Sequence, residues 1–172
     1  MRLFVAIRLG RDMARYVRDV QDAFRRRNVR GNYTPEENLH ITLAFVGEYG
    51  DPDAVMEVLD GVSFSAFTLT SDGVGCFGDL WWAGLRERAE LDALAAKVRH
   101  ALADAGIPFD RKSFRAHMTF LRRAEPGRNG TFPDVAAQPA SMRVDGISLM
   151  RSDRGKNGMI YTEIGYVPAR TD

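Results

Sequence analysis

Two short stretches of this chain, Leu39-His40-Ile41-Thr42-Leu43 and Ala116-His117-Met118-Thr119-Phe120, carry the same His-x-Thr pattern 77 residues apart. Sliding the chain over itself by 77 residues, with no gap, also lays Leu3-Phe4-Val5-Ala6 on Leu80-Trp81-Trp82-Ala83, Ala14 on Leu91, Val17 on Leu94 and Phe24 on Ala101. A strand, a helix, a loop and a second strand therefore recur in the same order. This is the pattern of two similar lobes packed about an approximate two-fold axis. In a strand, residues i and i+2 share a face, so each histidine has a threonine hydroxyl beside it while Ile41 or Met118 points the other way.

Working outward from these stretches, residues 3–7 read as a buried strand and residues 12–28 as an amphipathic helix with Met13, Val17, Val20 and Phe24 on one face. Gly31-Asn32 breaks that pattern, residues 34–38 read as a turn, and residues 39–46 as a strand ended by Gly47. Asp51 and Pro52 are suited to start a short helix over residues 52–59. Residues 64–74 and 80–85 read as strands on either side of a Gly75–Gly78 turn. Residues 87–105 read as a second long helix burying Leu91, Leu94, Val98, Ala101 and Leu102. After a short strand at 117–121, two strands at 142–150 and 159–167 close the chain around a turn at 155–158. The pattern predicts a mixed α+β protein with no long linker.

Composition narrows the chemistry. The 172 residues are 45% hydrophobic and 27% charged, the range of one ordinary globular domain spanning 1–172. The single cysteine, Cys76, excludes a disulfide framework, and no clustered His/Cys set supports a structural metal. The apolar run at residues 3–7 is too short for a signal-peptide core or a membrane span, which places the protein in the cytoplasm as an expectation. A net charge of +1 argues against a protein that coats nucleic acid. Of the 24 basic residues, however, 21 are arginine, the side chain that grips phosphate through two parallel hydrogen bonds.

If the two lobes face each other, they present two imidazoles and two hydroxyls to one small ligand. An imidazole near its ordinary pKa of about 6.5 serves as acid or base at neutral pH. One neutral histidine can take a proton from water while the other, protonated, gives one to a leaving oxygen, and the threonine hydroxyls stabilise the phosphoryl oxygens. Such a site fits phosphodiester chemistry with no metal or cofactor. The residues alone leave open which histidine is acid and which is base. They predict a bell-shaped pH profile with both limbs near neutrality.

Residues 3–7, the stretch from Thr34 to Glu48, and Phe114-Arg115-Ala116-His117-Met118-Thr119-Phe120-Leu121-Arg122 resemble the 2H phosphoesterase superfamily, and within it the RNA 2′,3′-cyclic phosphodiesterases, historically called 2′-5′ RNA ligases. The resemblance covers nearly the whole chain. It implies two pseudo-symmetric lobes, each an antiparallel sheet with helices packed on the outside, and a catalytic cleft between them. It also implies hydrolysis of a terminal 2′,3′-cyclic phosphate to a 2′-phosphomonoester. By motif, His40 would then be the proton donor, His117 the proton acceptor, and Thr42 and Thr119 would hold the phosphate. The family usually has proline where this chain has Ala116 and leucine where it has Phe120; neither change removes a reactive group.

Arg122 follows His117 by five positions and Phe45 follows His40 by five. In a regular strand each points away from its histidine, so only a bulge or strand end brings Arg122 to the cleft as a phosphate or RNA contact, the other reading being a solvated strand-end residue, and Phe45 reads as a core residue or a base-stacking platform. Arg111, Lys112 and Arg115 could rim the cleft as RNA contacts. Arg25-Arg26-Arg27 complements a helix C-terminus, His100 reads as a surface residue, and Cys76 lacks an adjacent base. The expected partners are RNA ends or nucleotides bearing a cyclic phosphate, with no membrane and no protein partner, and a monomeric state. The alternatives are another small cyclic phosphate such as one on ADP-ribose, 2′-5′ joining of RNA ends, and an RNA-binding module without turnover.

Overall fold

The computed structural model describes residues 1–127, 129–135 and 137–171. The apolar run at the start becomes strand β1 (Arg2–Arg8), an inner strand of a four-stranded antiparallel sheet that runs from β3 (His40–Glu48) through β1 to β8 (Gly146–Gly155) and β9 (Gly158–Pro168). A second antiparallel sheet is ordered β2 (Arg30–Tyr33), β6 (Met118–Glu125), β5 (Leu80–Arg86), β4 (Phe67–Phe77), β7 (Ser141–Val144). The helices are α1 (Arg11–Arg26), α2 (Pro52–Asp60) and α3 (Ala89–Asp104). The 77-residue repeat thus maps β1, α1 and β3 onto β5, α3 and β6. This is the two-sheet α+β architecture that the resemblance implies.

The repeats exchange their helices. Helix α1 leaves the first sheet but packs on β6 and β7 of the second, whereas α3 leaves the second sheet and packs on β3 of the first. Met13, Val17, Val20 and Phe24 are the buried stripe of α1, and Phe24 meets Trp81 and Phe120 edge-on with ring centroids 5.1 Å apart in each case. Phe120, at the family's leucine position, is wholly buried in this cluster. Each such aromatic or aliphatic side chain contributes about 1.5–3 kcal/mol on leaving water. On β1 the alternation sends Leu3, Val5 and Ile7 into the main core, while Phe4 and Ala6 form a smaller cluster with Met150 on the opposite face. As the sequence predicts, Asp51 caps α2, accepting from Ala54 N at 3.1 Å.

Three sequence expectations need correction. Gly31-Asn32, read as a helix break, lies within edge strand β2; Gly31 adopts φ +146° and lies so close to β6 that a Cβ would stand 2.8 Å from Arg122 O. The 75–78 glycines do not end the preceding strand: β4 runs to Phe77, and Gly75 leaves room for the Trp82 ring, 2.4 Å from where a Cβ would be. The strand read over 142–150 is two strands in different sheets, changing sheet at Asp145, where Gly146 admits the Tyr166 side chain. No helix among the described residues is long and apolar enough to cross a membrane.

Candidate active site

His40 opens β3 and His117 immediately precedes β6, so the two His-x-Thr segments start the paired strands of the repeat. In both, the backbone carbonyl two residues earlier meets the imidazole Nδ1: Asn38 O at 2.7 Å for His40, and Arg115 O for His117. A carbonyl only accepts, so both rings carry their proton on Nδ1 when neutral and present Nε2 to the cleft side. Asn38 is itself fixed, its buried amide donating to Met159 O at 2.9 Å. The Nε2 of His40 lies 2.8 Å from Thr42 Oγ1, the i to i+2 contact that the strand periodicity predicts. Thr119 occupies the matching position after His117, opposite Trp82 on β5.

The surroundings of the two rings differ. His40 sits against Phe4, with centroids 5.0 Å apart, and edge-on to Tyr161 at 5.4 Å. His117 is edge-on to Phe77 at 5.4 Å. Burial pushes His40 below its ordinary value of 6.5; the hydrogen bond to Asn38 opposes this, and the charges of Arg122 and His117 push it lower still. Burial likewise lowers His117, opposed by its hydrogen bond to Arg115 and reinforced by Arg122. His117 acts on His40, and Arg122 acts on both. The two imidazoles and the guanidinium are therefore within electrostatic reach of one another.

That placement of Arg122 corrects the regular-strand expectation, and the cause is a pair of matching bulges. Against β1, Ala44 pairs with Val5 and Thr42 with Ala6, leaving Leu43 extra; against β5, Leu121 pairs with Trp81 and Thr119 with Trp82, leaving Phe120 extra. Each bulge reverses the alternation, so Leu43 and Ala44 are both buried, as are Phe120 and Leu121. Phe45 and Arg122 then take the face of the histidines. Phe45 lies outside the main core: half-buried, it stacks on Phe4 of the smaller cluster and lines a cavity of about 530 Å³ with Thr42, Phe77, Lys112, Arg115 and His117.

The other sequence candidates sort by place. Lys112 and Arg115 line that cavity, while Arg111 stacks on Phe109 at 4.3 Å. Arg25 lies over Tyr33 at 4.2 Å and pairs with Asp22, and His100 pairs with Asp104 on the exposed side of α3. Sequence reasoning missed Asn38, whose carbonyl holds His40, and Phe77, which packs on His117. Among the described residues no three His, Cys, Asp or Glu side chains are grouped so that they could hold a metal ion.

Comparison with known proteins agrees with the fold. The 2′-5′ RNA ligase superfamily pattern matches residues 12–156. The chain is 32% identical to the RNA 2′,3′-cyclic phosphodiesterase of Archaeoglobus fulgidus over 95% of its own length and 98% of that protein's. It is 26% identical to the enzyme of the same name from Thermotoga maritima, covering 94% and 91% of the two chains. Among solved structures, E. coli LigT complexed with 3′-AMP superposes with a TM-score of 0.82 at 26% identity, covering 99% of this chain and 98% of the other.

Proposed function

Since the chain belongs to the 2′-5′ RNA ligase superfamily, we propose that it is an RNA 2′,3′-cyclic phosphodiesterase that opens a terminal cyclic phosphate to a 2′-phosphomonoester by paired-histidine catalysis. The observation that carries this reading is the pair of imidazoles, one from each repeat, held at Nδ1 by backbone carbonyls, with Thr42 beside His40, Thr119 at the matching position after His117, and Arg122 lowering the pKa of both rings.

In the proposed reaction, His117 Nε2 takes a proton from water as the water oxygen bonds to phosphorus. The bond from phosphorus to O3′ breaks, and protonated His40 gives its Nε2 proton to that oxygen. Water is consumed, the phosphate stays on O2′, and proton exchange returns both rings to their starting states. Thr42, Thr119 and Arg122 hold the phosphoryl oxygens as charge develops. Arg115 and Lys112 meet the RNA backbone, and Phe45 offers a flat face to a base. The division between His40 as acid and His117 as base follows the family motif; the closer packing of His40 between Phe4 and Tyr161 is compatible with it.

We take the protein to act as one domain, as a monomer, since one chain supplies both histidines, and in the cytoplasm, where its exposed free Cys76 stays reduced. The test offers the protein matched RNA oligonucleotides with 2′,3′-cyclic, 2′-phosphate and 3′-phosphate ends, beside a cyclic mononucleotide and a cyclic phosphate of ADP-ribose, all in EDTA. Conversion of the cyclic RNA end to a 2′-phosphate is the expected result. Exclusive turnover of a small cyclic phosphate moves the substrate class, and tight RNA binding without turnover leaves a binding module.

A further inference from the structure

Two helix side chains reach the two bulges in the same way. An extra residue is left unpaired toward the strand it bulges from, and its carbonyl takes partners from outside that pairing. On β6, Phe120 O accepts from Thr34 N at 3.0 Å and also from Gln21 of α1, whose Nε2 donates to Phe120 O at 3.1 Å and to Thr34 O at 2.9 Å, so that Gln21 clamps the two segments together. On β3 the helix side chain is Arg99 of α3, whose Nε donates to Leu43 O at 3.0 Å and whose Nη1 donates to Lys112 O at 2.7 Å. Leu43 and Phe120 are repeat equivalents, and Gln21 with Thr34 match Arg99 with Lys112 at a spacing one residue longer. The same device has been built twice from different side chains. Thr34 lies on the approach to His40 and Phe120 follows His117; Lys112 lies on the approach to His117 and Leu43 follows His40. Each helix side chain therefore fastens the approach to one histidine onto the strand that carries the other.

We infer that Gln21 and Arg99 are paired positioning residues for the reaction, holding the bulges that keep Arg122 and Phe45 turned into the cleft. This rests on the roles given to Arg122 and Phe45 above. Gln21 is 4% exposed and spends both amide hydrogens on carbonyls. Without Gln21, Phe120 O keeps only Thr34 N and Thr34 O loses its side-chain donor, which loosens the hold on the bulge, and a one-residue shift there turns every following side chain to the other face. Arg99 adds a second hold on the approach to His117, with its guanidinium over Phe109 at 5.9 Å and Phe114 at 5.6 Å.

The experiment is a pair of double-mutant cycles, Gln21→Met with Arg122→Ala and Arg99→Met with Phe45→Ala, each read on cyclic-ended RNA and by thermal unfolding. Gln21→Met should lower kcat/KM about tenfold in the wild-type background and less than about twofold once Arg122 is alanine, with the same fall in Tm in both. Arg99→Met should couple to Phe45→Ala in the same way, and Arg99→Lys, which keeps a donor, should recover most of the loss. Equal losses in both backgrounds mean a merely structural role and overturn the inference, as does Arg99→Lys behaving like Arg99→Met. The Gln21 and Arg122 cycle is also read on the dissociation constant of inorganic phosphate. A protein that proves inactive on cyclic-ended RNA then defeats the proposed function while the coupling between Gln21 and Arg122 is still decided.

Discussion

His40 and His117 each have one ring nitrogen committed to a backbone carbonyl, which leaves a single nitrogen for chemistry and decides which one it is. The same rings are lowered from 6.5, by burial first and by Arg122 as well, with His117 adding to the effect on His40. The sign has a consequence for the empty enzyme. The base must be neutral, which requires a pH above its pKa, and the acid must be protonated, which requires a pH below its own. With both values depressed, the profile of kcat/KM should peak on the acid side of 6.5 rather than with limbs about neutrality. A bound phosphate anion favours the protonated imidazole, so the profile of kcat should lie at higher pH than that of kcat/KM. Rate measurements across pH 4.5–9 check this, and an alkaline limb in kcat/KM above about pH 7.5 would contradict it. The histidines and threonines were legible from sequence because a two-residue periodicity says which side chains are neighbours. Asn38 and Arg115 act on the rings through their carbonyls, which every residue carries, so no residue type could announce them.

At the scale of the element, the bulges at Leu43 and Phe120 explain both what was legible and what was not. Strands, helices and their repeat follow from apolar spacing, and β1, α1, β3, α2 and α3 lie where that spacing puts them. A bulge adds one residue without leaving a turn signal, so the faces of Phe45 and Arg122 could not be read from periodicity. Edge strand β2 was hidden for a related reason: Gly31 looks like a breaker, yet it is the residue that lets the chain approach β6. At φ +146°, with a Cβ placed 2.8 Å from Arg122 O and 2.9 Å from Arg123 O, Gly31→Ala must strain its own backbone or push the strands apart. The expected loss is roughly 1–3 kcal/mol of unfolding free energy, together with weaker phosphate binding as Arg122 shifts. Urea unfolding measures the first; a change under about 0.5 kcal/mol, within the range of an ordinary surface substitution, would mean the close approach is not maintained in solution.

Over the whole molecule, two repeats each supply one histidine of the proposed catalytic pair, and they depart from symmetry beside it. After α1 the chain forms β2 and closes that side against β6; after α3 the corresponding segment makes the backbone bond from Asp110 N to Phe45 O at 2.8 Å and forms no strand. The unclosed side is the cavity between Phe45 and Phe77, with Lys112 and Arg115 on its walls. A nucleotide chain entering there meets basic side chains beyond the reacting phosphate. Lys112→Ala should therefore raise KM for a cyclic-ended oligonucleotide and lower its logarithmic salt dependence by about one, while changing KM for a cyclic mononucleotide by less than about twofold. Equal effects on both substrates would place Lys112 outside the RNA path. The account as a whole depends on the two histidines working on one phosphate as a unit. The most direct test is the turnover of cyclic-ended RNA by His40→Ala, His117→Ala and the double variant, with RNA binding measured alongside. Each single substitution should lower kcat by about a thousandfold or more, the double should lose little beyond that, and binding should persist. Either single variant remaining within tenfold of the unaltered protein would contradict the paired-histidine mechanism.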